Sequence, residues 1–266
     1  MVRQITAFSN PLVKHVRNLR EKRHRRRDGQ FMAEGLRILT EAKDAGTLPT
    51  LIFFAAGTRH PLLDDLIQRV EAFGGETVET STDILHKLSG KENPQTVLGV
   101  YPVFDTSLGR IDRAAADLWI VCQSLRDPGN LGTIMRTGDA VGAGGVILVD
   151  ECVDPFSVEA VRATMGALFT QRIATASWAD FLPWLRSGPG ELIGTSLNAT
   201  DDYQAPRYGK PAFILVGNEA QGLPVDYEEA CDRLVKIPML GRADSLNAAV
   251  ATGVMAYEIV NQWRRT

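Results

Sequence analysis

Asn130, Arg136, Glu219, Ser245 and Asn247 are the side chains of the C-terminal half whose types and settings could do chemistry. Each lies in a loop that follows an apolar strand, or in the first turns of the helix after it. The run Arg126 to Ala140 leaves a strand and opens a helix, where free backbone N–H groups and the helix dipole favour an anionic group. Arg136 follows Asn130 by about a turn and a half. It is either a surface salt-bridge former or a fixed charge aimed at a phosphate or ribose. Gly217-Asn218-Glu219-Ala220-Gln221-Gly222 follows the apolar run Ala212 to Val216. Its glycines let a ligand approach the backbone, and Glu219 stands at the carboxyl end of a strand, where open α/β sheets bind ligands. The third stretch, Val235 to Ala251, reads as a strand, a loop with Gly241, and a helix with Ser245 at its N-cap position. Taken alone, that stretch reads as well as a plain helix cap at Ser245 with a plain turn at Gly241 as it does as a functional site.

Several chemistries are excluded. All four histidines (His15, His24, His60, His86) lie in the first third of the chain, so a histidine triad or histidine metal site in the C-terminal half is not expected. Cys122, Cys152 and Cys231 are odd in number and far apart, which speaks against a disulfide framework and against zinc spacing, and predicts reduced, structural thiols. Gly142-Ala143-Gly144-Gly145 lacks the third glycine of the dinucleotide fingerprint and precedes a strand, and no P-loop occurs. Nicotinamide and P-loop enzymes are thereby disfavoured.

The elements that must position these loops are legible. Leu118–Cys122, Gly145–Val149, Leu192–Thr195 and Phe213–Val216 are continuous apolar runs, as in an α/β sheet covered on both faces. Leu246, Ala249, Val250, Val254, Tyr257 and Val260 share one face of the last helix, predicting that this face packs on an apolar partner. Upstream, Leu51–Ala55, Thr77–Glu79 and Thr96–Val103 read as strands, and 62–73 and 83–88 as helices, giving a compact α/β unit. The strong apolar pattern lapses between. A length of 266 residues and 44% hydrophobic content suit two domains: 1–104, a linker at 105–117, and 118–266.

Charge is unevenly placed. Residues 1–27 hold nine Lys or Arg against the single acid Glu21, a local +8 on a chain whose net charge is −3. Ser9 or Asn10 can cap a helix with Leu12, Val13, Val16 and Leu19 inside and a cationic outer face, followed by a basic turn at His24–Gly29. The run is either a solvated charged face or a phosphate-binding one, and its clustering favours the second. Lys14, Arg17, Arg23, Arg25, Arg26 and Arg27 are the expected contacts to RNA. Nothing in this end reads bases. No apolar run approaches the ~18 residues of a membrane span and no signal-peptide core opens the chain, so the expected location is cytoplasmic.

Together the three loops resemble the TrmH/SpoU branch of the SPOUT methyltransferases. The carrying residues are Asn130-Leu131-Gly132-Thr133-Ile134-Met135-Arg136-Thr137, then Gly217 to Gly222, then Ile237-Pro238-Met239 with Ser245-Leu246-Asn247. The N-terminal part is similar to that family's L30e-like substrate-binding domain, on Ser9-Asn10-Pro11, Lys14, the basic run to Arg27, and Phe31 to Gly35.

The resemblance implies an N-terminal L30e-like α/β domain and a C-terminal SPOUT α/β domain with a deep trefoil knot, paired as a homodimer through the knotted domain. It implies transfer of a methyl group from S-adenosyl-L-methionine to a ribose 2′-hydroxyl in structured RNA, most naturally large-subunit rRNA, without a metal. Carried over, Gly217, Ile237 and Leu246 would hold the donor's adenine and ribose, with Thr195 and Met239 lining the pocket. Arg136 would orient the 2′-hydroxyl or stabilise charge, because a guanidinium stays protonated. Asn130 and Glu219 would fix Arg136 and the ribose, and Ser245 and Asn247 would shape the loop. A tRNA substrate and a catalytically inert knotted RNA-binding protein are the alternatives.

Overall fold

The computed structural model describes residues 2–265, which form two compact units: residues up to Phe104 joined by Asp154–Thr170, and Asp105–Val153 joined by the chain from Gln171 on. In the first unit five described strands make a mixed sheet in the order β1 (Arg3–Ile5), β4 (Glu76–Thr80), β3 (Leu51–Ala55), β5 (Val97–Pro102), β2 (Gln30–Glu34). The first three are parallel, and β5 runs antiparallel to both β3 and β2. Helix α1 (Pro11–Asn18) begins as its sequence predicts, with Asn10 capping and Pro11 in the first turn. Val13, Val16 and Leu19 join Phe53, Val78, Ile84 and Leu88 in the core.

Residues 30–34, which the sequence left unassigned, form strand β2, with Phe31, Met32 and Ala33 all buried against β5. One reading of this unit changes: the basic turn is helix α2 (Lys22–Asp28), which ends where Gly29 turns left-handed at φ 63°. A segment from far along the chain completes the unit: α7 (Val158–Ala163) lies beside β2, Val158 enters the core, and Arg162 pairs with buried Glu34 at 3.0 Å. Phe156 and Phe169 join Phe31, Tyr101 and Phe104 in an aromatic cluster with ring centroids 4.9 to 6.2 Å apart.

The second unit is built on a seven-stranded sheet of described strands, parallel at every pairing. Its order is β10 (Asp201–Asp202), β12 (Arg233–Lys236), β9 (Glu191–Thr195), β11 (Ala212–Val216), β6 (Leu118–Gln123), β7 (Gly145–Val149), β8 (Arg172–Ala176). Ile120, Ile147, Ile193 and Ile214 are fully buried, as strands covered on both faces require. The stretch 105–117 packs here: Ile111 is buried, and the Arg113 guanidinium donates to the Leu185 carbonyl at 2.9 Å while lying over the Trp184 ring.

Helix α6 (Pro128–Val141) and the last helix, α10 (Ala248–Arg265), pack together, with Gly253 close to Thr137. The buried face of α10 is Ala248, Ala249, Thr252, Met255, Ala256 and Ile259. Of the stripe expected to pack, Leu246, Val250 and Tyr257 stay 37%, 51% and 57% exposed. The small residues win the inner face because α6 approaches closely there. Nor is Ser245 the cap: Asn247 Oδ1 accepts from the Ala249 and Val250 amides, so the helix starts two residues later.

Candidate active site

The strand order sets β12, β9, β11 and β6 side by side, so their carboxyl ends form one edge. At the end of β6 the chain enters α6 through Arg126-Asp127-Pro128, and Asp127 caps the helix by accepting from the Asn130 amide at 2.7 Å. At the end of β11 the chain folds into the tight turn 218–222. A Cβ on Gly217 would stand 2.4 Å from the Gly222 carbonyl carbon, so only glycine fits, and Gly222 has φ 70°. Asn218 holds the turn from within, accepting from the Ala220 and Gln221 amides and donating from Nδ2 to the Ser124 carbonyl at 2.9 Å. Its role as an anchor between two strand ends is invisible in a sequence that separates it from Ser124 by 94 residues.

The turn delivers Glu219 to the start of α6. Its Oε1 accepts from the Asn130 side chain at 3.0 Å and the Asp127 amide at 3.2 Å, and its Oε2 accepts from the Arg126 amide at 3.3 Å. The anion expected at this helix start is therefore the protein's own carboxylate. Partial burial pushes the Glu219 carboxyl up, but the Asn130 and backbone donors outweigh it and hold it below its ordinary value. Asn130 Oδ1 in turn accepts from Asn247 Nδ2 at 2.8 Å. Glu219, Asn130 and Asn247 thus form one hydrogen-bonded line across the three loops.

Arg136 is outside that line. Six residues beyond Asn130, it is displaced by about 9 Å along α6 and about 120° around it. It is exposed, and its guanidinium has no hydrogen-bond or ion-pair partner among the described residues. The expectation that Asn130 and Glu219 fix Arg136 is corrected: they fix each other and Asn247. Ser245 is exposed, without a side-chain partner among the described residues, on the wall of a cavity.

That cavity, about 350 Å³, opens at the ends of β9, β11 and β12. Thr195, Gly217, Ile237, Met239 and Leu246 all line it. Its walls combine apolar surface with the polar backbone of two loops and two carboxylates, Glu219 and Glu228, the latter on α9 (Val225–Glu229). An apolar slot with a few convergent polar groups suits a purine nucleoside carrying a cationic tail, as S-adenosylmethionine is. The three free thiols are no rival: burial pushes Cys122 far up, Cys152 to about 11 and Cys231 to about 12. Among the described residues no cluster of His, Cys, Asp or Glu could hold a metal ion, and no helix is long and apolar enough to cross a membrane.

The basic end divides. Lys14, Arg17 and Arg26 have no ion-pair partner among the described residues, whereas Arg23 pairs with Glu21 at 2.7 Å and Arg27 with Asp28 at 2.6 Å. Arg25 is removed from the RNA-facing set, being 4% exposed. Its guanidinium donates to the Leu19 carbonyl at 2.8 Å, the Arg20 carbonyl at 2.7 Å and Asp154 at 2.6 Å, holding α2 to the returning segment. No sequence signal separates it from the four arginines and lysines around it.

Residues 117–257 match the SpoU rRNA methylase family, and residues 10–99 match the MRM3-like substrate-binding domain. The chain is 32% identical to an uncharacterised tRNA/rRNA methyltransferase of Synechocystis sp., covering 98% of this chain and 94% of the relative. It is 30% identical to the 23S rRNA (uridine(2479)-2′-O)-methyltransferase of Streptomyces viridochromogenes, over 92% of this chain and 87% of that one. Among solved structures, an AdoMet-bound rRNA methyltransferase from Sinorhizobium meliloti superposes with a TM-score of 0.91 at 39% identity, covering 98% of both chains. The chain belongs to the SpoU rRNA methylase family of S-adenosylmethionine-dependent RNA ribose 2′-O-methyltransferases.

Proposed function

We propose that this protein methylates the 2′-hydroxyl of one ribose in large-subunit ribosomal RNA, acting in the cytoplasm as a homodimer. The observation that carries the reading is the Glu219–Asn130–Asn247 line beside the cavity. Bound in the cavity, S-adenosylmethionine supplies a methyl group already activated on a positive sulfur, so the protein's task is alignment and removal of a proton. Glu219 has both oxygens occupied by donors and serves as the anchor of that alignment. Asn130 and Asn247 present their amides where the ribose must enter. Thr195, Gly217, Ile237, Met239 and Leu246 hold the donor. The last strands and α10 carry the trefoil knot that the family resemblance implies.

The dimer is argued from what α6 and α10 leave uncovered. Val250 and Tyr257 are exposed beside a groove lined by Ala140, Val141, Val254 and Asn261, and Arg136 stands partnerless on the neighbouring helix. A second copy is the occupant whose own α6 and α10 match this surface. It would cover the apolar stripe and bring its Arg136 toward the ribose, where a permanently charged guanidinium stabilises the oxygen that loses its proton. Residues 1–104 supply RNA affinity through Lys14, Arg17 and Arg26, with Arg23 and Arg27 as weaker contributors because acids already neutralise them.

The test is transfer of tritium from labelled S-adenosylmethionine to undermethylated large-subunit rRNA and to bulk tRNA, followed by alkaline hydrolysis. An alkali-resistant labelled dinucleotide from rRNA is the expected result. Label in tRNA alone would overturn the target. No label in either RNA or in ribosomal particles, with donor binding intact, would establish an inert RNA-binding protein.

A further inference from the structure

The donor cavity contains a second carboxylate that the alignment of the acceptor does not use. Glu228 is half-buried in the cavity wall on the β9 side. Its Oε1 accepts a hydrogen bond from the Ser196 hydroxyl. The Ser196 oxygen accepts from the Asn198 amide at 3.0 Å, which leaves its proton for Glu228. The other carboxylate oxygen has no hydrogen-bond partner among the described residues. Lys236, the cation of the cavity wall, forms no ion pair with it among the described residues. Glu219, by contrast, has three protein donors.

We infer that Glu228, oriented by Ser196, is a specificity-determining residue that accepts hydrogen bonds from the vicinal hydroxyls of the donor's ribose. The inference rests on the donor reading of the cavity given above. A half-buried carboxylate with one oxygen open to the cavity is matched by a ligand carrying O–H or N–H groups. The position along the sheet selects which. Asn130 and Asn247 mark where the acceptor enters, at the end of β6, so the sulfur, its methyl and the amino-acid tail belong there. Glu228 stands at the end of β9, two strands away and hence about 10 Å off. That distance leaves the nucleoside half of the donor for Glu228. Within that half the 2′- and 3′-hydroxyls are the paired donors that a carboxylate takes, as acidic residues do at the ribose in dinucleotide-binding folds.

The experiment is calorimetric titration of the full chain and its Glu228→Gln and Ser196→Ala variants. The ligands are S-adenosylhomocysteine, 5′-methylthioadenosine, which lacks the amino-acid tail, and the 2′-deoxy form of S-adenosylhomocysteine. Melting temperatures without ligand serve as the folding control. Glu228→Gln should weaken S-adenosylhomocysteine and methylthioadenosine by the same factor, roughly tenfold, and should change the 2′-deoxy compound much less. Ser196→Ala should show the same pattern more weakly. A loss confined to S-adenosylhomocysteine, with methylthioadenosine unaffected, would overturn the inference by assigning Glu228 to the amino group. Equal losses for all three ligands would overturn it by showing general damage to the cavity. If the unaltered protein bound none of them, the donor reading itself would fall.

Discussion

Asn247 Nδ2 donates to Asn130 Oδ1 at 2.8 Å, while Asn247 Oδ1 caps α10 and Asn130 Nδ2 donates to Glu219. One side chain thus locks the start of the last helix to the start of α6. The amide is the side chain that can do this, because it carries a donor and an acceptor on one rigid plane.

Replacement of Asn130 by Asp should be worse than replacement by Ala. Asp removes the donor to Glu219 and sets two carboxylates about 3 Å apart, whereas Ala only breaks the line. The expected outcome is a fall in kcat of at least tenfold for Ala and more for Asp, about 1.4 kcal/mol or more of transition-state stabilisation. The affinity for S-adenosylhomocysteine should stay within a few-fold of the starting protein. Single-turnover methyl transfer and equilibrium binding, measured separately, check this.

The lowered Glu219 carboxyl predicts a pH dependence of stability. Since its folded value lies below the ordinary 4.5, its stabilising contribution is present above 4.5 and lost as the pH falls through the folded value. Urea unfolding between pH 3 and pH 6 should show the parent protein losing stability more steeply than Glu219→Gln at the acid end. Equal slopes would mean that its donors do not favour the charged form.

Arg25 and Arg26 are neighbours with opposite fates. Arg25→Met leaves Asp154 and two carbonyls without their donor in a buried setting, and should cost about 3–5 kcal/mol, read as a fall in urea midpoint. Adding Asp154→Leu should restore part of it. Arg26→Ala, at an exposed and unpaired position, should leave the midpoint unchanged. It should weaken RNA binding and reduce the salt slope by about one.

The uncovered stripe of α10 gives a test of assembly. Val250→Glu with Tyr257→Glu should convert the proposed dimer to monomer by analytical ultracentrifugation and abolish methyl transfer. Arg136→Ala should lose turnover while keeping donor affinity. If Arg136 acts across the proposed dimer, mixing subunits carrying Arg136→Ala with subunits carrying Asn130→Ala should raise activity above that of either variant alone. No recovery on mixing would place Arg136 in its own subunit's site.

The sequence by itself determined the doubly covered α/β sheet of the second unit, because strands buried on both faces must be apolar throughout, as Ile120, Ile147 and Ile214 are. It also determined the three polar loops and their order, since Gly217 and the Asx positions have requirements that are local. Contacts made at long range were decided by the tertiary structure. Glu219 meets Asn130 across 89 residues, Asn247 meets Asn130 across 117, and Arg25 meets Asp154 across 129. Helical spacing shows that α10 has an apolar stripe and places Ala249 on it, but not that Ala248, Thr252 and Ala256 would take the inner face. Small residues win there because two helices packed at close range exclude larger ones. Likewise a run of arginines has one composition and several environments: the fold buries Arg25 against a carboxylate supplied by a distant segment and leaves Arg26 in water.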